Sequence, residues 1–201
     1  LWKPNNFKWI AASTHQGEDE IILKAHQKLL KLDSDAKLIL VPRHPNRFSE
    51  VAQMIEEHGL RLAKRSSPEN WNSNAQVLLG DSMGELIDAY QIADVAFIGG
   101  SFVNVGGHNA IEAAYFAKPI ITGPYIHNFQ YVFEPLIDSK GAVMVEDDST
   151  LVEVLYQWLE TPDIARSFGL NAKQFVESNR GALDKMVAII QSTYDESVND
   201  S

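Results

Sequence analysis

At 201 residues, 45% of them hydrophobic and 22% charged, the chain has the size and composition of a single globular domain with its own core, which excludes a disordered or fibrous protein. Its formal net charge of -10, with 17 basic residues spread along the chain and not gathered in a patch, argues against a nucleic-acid partner. The absence of cysteine excludes disulfides and cysteine-ligated zinc or iron–sulfur centres, and no apolar run reaches the ~20 residues of a membrane-spanning helix.

The chain opens on Leu1, and a core strand is expected a few residues later, at 7–12, so the sequence is expected to be a domain excised from a longer protein. Ile22, Ala25, Leu29 and Leu32 then recur at helical spacing, a second strand is expected at 37–41, and Phe48, Val51, Ala52 and Ile55 mark the next helix. Further strands are expected at 60–63, 76–79, 95–98, 119–122 and 142–145. Ser82 and Glu85 form one capping-box pattern. Thr150 and Glu153 form another, which opens a helix through Leu151, Val154, Leu155 and Trp158. Leu183, Met186, Val187 and Ile190 mark a last helix, completing a domain at 1–191, and the polar residues 192–201 are expected to fray as a flexible tail.

Strands alternating with helices predict an α/β fold built on a Rossmann-like, doubly wound parallel sheet. Ligands of such sheets bind outside the carboxyl ends of the strands, near the point where strand order reverses. The loops at those ends are polar and rich in glycine. Gly99-Gly100-Ser101 and Gly106-Gly107 precede a helix expected to start near Asn109, where bare N–H groups attract phosphate and glycine lets the backbone come close. A flexible turn with no ligand has the same composition. The spacing is neither the dinucleotide pattern G-x-G-x-x-G nor a P-loop with its lysine, so NAD binding and ATP hydrolysis fall in rank.

Asn109, Ala110, Ile111 and Glu112 open that helix. Glu112 is placed either to accept both hydroxyls of a ribose or simply to favour the helix dipole. His108 and Glu112 are four residues apart, but no third ligand is spaced nearby and no metal is expected. Arg43, held between Pro42 and Pro45, is placed to meet a phosphate or carboxylate bidentately, or to be solvated at a strand end. His44 reads as a hydrogen-bonded loop residue. With Ser82 at a helix cap, the amides of Met83, Gly84 and Glu85 face the same crevice, and Met83 is able to lie against a flat base.

Taken together, Pro42-Arg43-His44-Pro45, Gly80-Asp81-Ser82-Met83-Gly84-Glu85-Leu86, Ala93-Asp94-Val95-Ala96-Phe97-Ile98-Gly99-Gly100-Ser101 and Gly106-Gly107-His108-Asn109-Ala110-Ile111-Glu112 resemble the bacterial Kdo (3-deoxy-D-manno-octulosonic acid) transferases. Gly123-Pro124 and Asn128-Phe129 extend the resemblance, while Ser82 stands where Thr is expected and Ala110 where Pro is expected. The resemblance implies one half of a GT-B glycosyltransferase, the carboxyl-terminal domain that binds CMP-Kdo. It implies inverting transfer of Kdo to a lipid A precursor in lipopolysaccharide biosynthesis, with no cofactor and no metal. It carries CMP contact onto Pro42, Arg43, Met83, Gly84, Glu85, Asn109, Ala110, Ile111 and Glu112, with Ser101, Gly107 and His108 as second candidates for phosphate or Kdo. Glu112 is assigned to the ribose, Arg43 and the amides near Asn109 to the phosphate, and the Met83 region to cytosine. The catalytic base, acceptor surface and membrane association are implied to lie in an amino-terminal half, at the cytoplasmic face of the Gram-negative inner membrane. This chain alone is therefore expected to bind CMP without turnover. A UDP-sugar GT-B transferase or epimerase, and a non-catalytic nucleotide-sensing module, are the alternatives.

Overall fold

Each strand is short and apolar along its length, the pattern of a parallel sheet covered on both faces. The computed structural model, which describes residues 1–82, 84 and 86–199 and side chains as far as Asn179, contains such a sheet. In chain order the elements are β1 (Lys8–Thr14), α1 (Glu18–Leu32), β2 (Lys37–Pro42), α2 (Phe48–Glu57), β3 (Leu62–Lys64), β4 (Val77–Leu79), α3 (Leu86–Ile92), β5 (Val95–Ile98), α4 (Ile111–Tyr115), β6 (Ile120–Thr122), α5 (Gln130–Asp138), β7 (Ala142–Met144), α6 (Asp148–Glu160) and α7 (Pro162–Asn199). All seven expected strands are present. They lie in the order β3-β4-β2-β1-β5-β6-β7, and every neighbouring pair is parallel.

Alternation along the strands divides the core in two. Trp9, Ala11, Leu38, Leu40 and Phe97 face Leu23 and Leu29 of α1, Val51 and Ile55 of α2, and Leu151 and Leu155 of α6. Ile10, Ala12, Ile39, Ala96 and Ile98 face Tyr90 of α3, Ala113 and Ala114 of α4, Phe133 and Leu136 of α5, and Ala172 of α7. Winding outward from β1 to one edge and then crossing back to β5 sends the loops after β1 and β5 to opposite faces. A crevice opens between them, at the carboxyl end of the sheet.

The floor of that crevice is fixed by a bulge. The β1–β2 register shifts between Ala12 and Thr14, and Ser13 between them has φ 58°. Its carbonyl oxygen presses on the end of β5, where a Cβ at Gly99 would stand 2.6 Å away. Only glycine fits there without moving one strand.

Three helix-end expectations are revised or lie outside the structure. The capping box of α6 is Asp147 with Thr150, not Thr150 with Glu153: the Asp147 carboxylate accepts from the Ser149 and Thr150 amides, which places Thr150 at the third helical position. The helix marked by Leu183 to Ile190 is not separate, because α7 runs unbroken from Pro162 to Asn199 and includes the segment 192–199 expected as a tail. Two glycines, Gly169 and Gly181, lie in α7, and each weakens a helix by about 1 kcal/mol without ending it. The Ser82–Glu85 capping box depends on Glu85, which lies outside the described residues.

Candidate functional site

The crevice at the switch point gathers side chains from the ends of β1, β2, β4 and β5. Arg43 is anchored beside β1 by its own amide, which donates to the Thr14 carbonyl at 2.9 Å. Its side chain is exposed, and its guanidinium has no hydrogen-bond or ion-pair partner among the described residues. It lines a pocket of about 90 Å³ with Ser13, Pro42, Phe48, Ser82 and Gly84, so the loop after β2 and the turn after β4 do meet. Gly84 is exposed, with φ 83°. Met83 and Glu85, the other two residues expected in that turn, lie outside the described residues.

Across the crevice, His15 from the β1 loop and His108 from the β5 loop join through their Nε2 atoms at 2.7 Å. Their ring planes are within 13° of parallel and their centroids 4.9 Å apart, so the rings meet edge to edge. His44 stands edge-on to His15, its centroid 5.2 Å away. Burial, reinforced by His44, Arg47 and Arg43, holds the His15 ring below its ordinary pKa against a weaker opposing pull from Asp19. Burial together with His15, Arg43 and His44 lowers His108 to about 4. Three strand ends thus direct positive or protonatable groups at one spot. The nearby carboxylate of Asp19 is already engaged, by Arg47 Nη2 at 2.7 Å and by the Thr14 hydroxyl at 2.6 Å. Among the described residues no group of histidine and carboxylate side chains is arranged to hold a metal ion.

The glycine loop after β5 does something different from what its composition suggests. Its amides are already taken. Glu18, fully buried at the start of α1, accepts from Gly100 at 2.7 Å, Ser101 at 2.9 Å and Phe102 at 2.8 Å, and from the His15 amide at 2.9 Å. Burial pushes its carboxyl pKa up while these four N–H groups pull it back. The Gly106 and Gly107 amides both donate to the Gly100 carbonyl. An internal carboxylate therefore occupies the amides of Gly100, Ser101 and Phe102, which leaves them engaged within the chain. The glycines make room for the chain itself: a Cβ at Gly100 would meet the His108 ring at 3.0 Å, and one at Gly106 would meet Asn128 at 2.5 Å. Ser101 is likewise withdrawn from the crevice, buried completely, donating to the Ile98 carbonyl and accepting from the Gly123 amide. Gly107 is buried too.

The helix after this loop is short. Its cap is Ala110, which is buried and gives no side-chain hydrogen bond. Asn109 stands one residue earlier and accepts from the Ile111 amide at 2.9 Å. Glu112 is exposed, and its charge helps burial raise the Tyr90 hydroxyl pKa. This places Glu112 within electrostatic reach of α3, the helix that starts two residues after Gly84.

Comparison with known proteins gives these residues a context. The family model described as glycosyl transferases group 1 matches residues 13–175. The 3-deoxy-D-manno-octulosonic acid transferase of Haemophilus influenzae is 41% identical over 199 residues, covering 98% of this chain and 47% of the relative. That of Bordetella pertussis is 34% identical, covering 85% and 41%. A crystal structure described as the C-terminal CMP-Kdo binding domain of WaaA from Acinetobacter baumannii superposes with a TM-score of 0.80 at 33% identity, covering 85% of this chain and 90% of that one. The chain belongs to the Kdo transferase family of group 1 glycosyl transferases. It spans about half the length of the curated relatives it matches, and its all-parallel sheet flanked by helices is the group 1 GT-B fold.

Among the sequence-chosen positions of this Kdo transferase domain, the structure joins Pro42, Arg43 and Gly84 in one pocket and brings His108 within electrostatic reach of Arg43. Sequence reasoning passed over His15 and Glu18, although both stand in a polar loop after β1. A Glu directly after Gly17, at the start of a helix, reads as an ordinary first-turn acid. Only the fold reveals that its partners lie more than eighty positions away.

Proposed function

We propose that this chain is the CMP-Kdo-binding half of a Kdo transferase, holding the nucleotide in the crevice between the β1 and β5 ends. The observation that carries the reading is the convergence of Arg43, His15, His44 and His108 at the switch point, with the Gly84 turn lining the same pocket as Arg43. A guanidinium with no internal partner among the described residues and a cluster of protonatable rings suit a phosphate that gains charge as the glycosidic bond to CMP breaks. Arg43 takes the phosphate, Glu112 the ribose hydroxyls and the Met83 turn the cytosine, with Asn109, Ala110 and Ile111 forming the wall between them. The phosphate lies on side chains and not in the glycine loop, whose amides Glu18 already holds.

In this reading the chain supplies the leaving group's site. The base that activates the acceptor, the lipid A precursor surface and the membrane association belong to an amino-terminal half. Among the described residues no helix is long and apolar enough to cross a membrane. No metal takes part in the scheme. Calorimetry with CMP, CDP, UMP and UDP tests the assignment: CMP is expected to bind most tightly, and a chain that binds UDP better than CMP would belong to a UDP-sugar enzyme instead.

A further inference from the structure

His15 and His108 leave the sheet in opposite directions yet meet through Nε2 at 2.7 Å with their rings edge to edge and nearly coplanar. An N–H···N bond of this kind needs one ring to donate and the other to accept. In the neutral pair, one outward Nδ1 therefore carries a hydrogen and the other a lone pair. Neither Nδ1 has a hydrogen-bond partner among the described residues. One added proton gives both Nδ1 atoms an N–H while the bond between the rings is kept. The neutral pair offers an anion one donor and one repelling lone pair; the protonated pair offers two donors and a positive charge.

We propose that the His15–His108 pair reads the phosphate of a bound nucleoside monophosphate and takes up one proton from solvent as that phosphate enters. This inference rests on the CMP reading above. The surrounding groups explain why the proton waits for the ligand. Arg43 and His44 from the β2 loop and Arg47 from the following turn all oppose a charge on His15, whereas Asp19 of α1 favours it. Arg43 and His44 oppose a charge on His108 as well. The Glu18 carboxylate is bound by four backbone amides, one of them that of His15. Buried Arg47 adds to the positive field, with its Nε and Nη1 lacking a partner among the described residues. A phosphate dianion in contact with the pair reverses the balance and raises the pair's pKa.

The sign follows directly. A pair held neutral when free and protonated when bound binds its anion more tightly as pH falls, until the free pair is itself protonated. Calorimetry of the 201-residue chain with CMP at about pH 7.5, above the phosphate's own second ionisation near about 6, in two buffers of different ionisation enthalpy, reads the uptake. Net uptake approaching about one proton per CMP is expected, with affinity rising roughly twentyfold between about pH 8 and about pH 6.5. Cytidine is expected to show neither effect. The double variant His15→Gln, His108→Gln keeps polar groups at the contact but has no imidazole of the pair to take the proton, so uptake is expected to vanish and the pH profile to flatten. CMP binding with no proton uptake and a flat profile in the unsubstituted chain would overturn this inference and leave the CMP reading standing. A folded chain that binds no CMP at any pH would overturn both.

Discussion

Glu18→Ala is expected to destabilise the domain by about 4 kcal/mol, because four backbone N–H groups lose a buried acceptor and each unsatisfied buried donor costs ~1–3 kcal/mol. Domains of this kind are stable by only ~5–15 kcal/mol, so the loss is a large fraction of the total. Glu18→Gln offers little relief. In the carboxylate, Oε1 accepts from Ser101 and Phe102 and Oε2 from Gly100 and His15. An amide can present oxygen to only one of those pairs and must point its NH2 at the other pair's donors. Urea denaturation is the measurement, and both substitutions are expected to move the midpoint down strongly. A Glu18→Gln chain as stable as the parent would show that the loop amides do not depend on this carboxylate.

Arg43→Ala is expected to act in the opposite way, weakening CMP binding roughly thirtyfold while leaving the unfolding midpoint where it was. A charge-assisted hydrogen bond is worth ~1.5–3 kcal/mol, and every ~1.4 kcal/mol is a factor of about ten in affinity. Stability is spared because the side chain is exposed and unpartnered among the described residues, while the contact that fixes the loop is made by the Arg43 amide, which alanine keeps. Cytidine, which lacks the phosphate, is expected to bind both chains equally. An equal loss for CMP and cytidine would move Arg43 away from the phosphate.

The strands were legible because each is a compact apolar run with few competitors, and a parallel sheet buried on both faces leaves that mark whatever its neighbours are. Their order was not legible: β4 inserting between β2 and β3, and β5 pairing with β1, are decided by packing between distant segments. The same distinction separates Arg43 from the glycine loop. Arg43 needed only its position after a strand and between two prolines. The glycines at 99, 100 and 106 invited a ligand in the sequence, yet Ser13, His108 and Asn128 fill the spaces they leave. Pattern fixed the location of that loop, but not what occupies it. The resemblance to Kdo transferases pointed to this same crevice for the same reason, since motif spacing marks strand ends more surely than it marks which atoms touch a ligand.

The most direct test of the account is a crystal structure of this chain with CMP bound. It is expected to show the phosphate against the Arg43 guanidinium and the His15–His108 pair, the ribose hydroxyls on Glu112, and Glu18 still holding the amides of Gly100, Ser101 and Phe102. A phosphate seated on those three amides with Glu18 displaced, or a ribose turned away from Glu112, would contradict it.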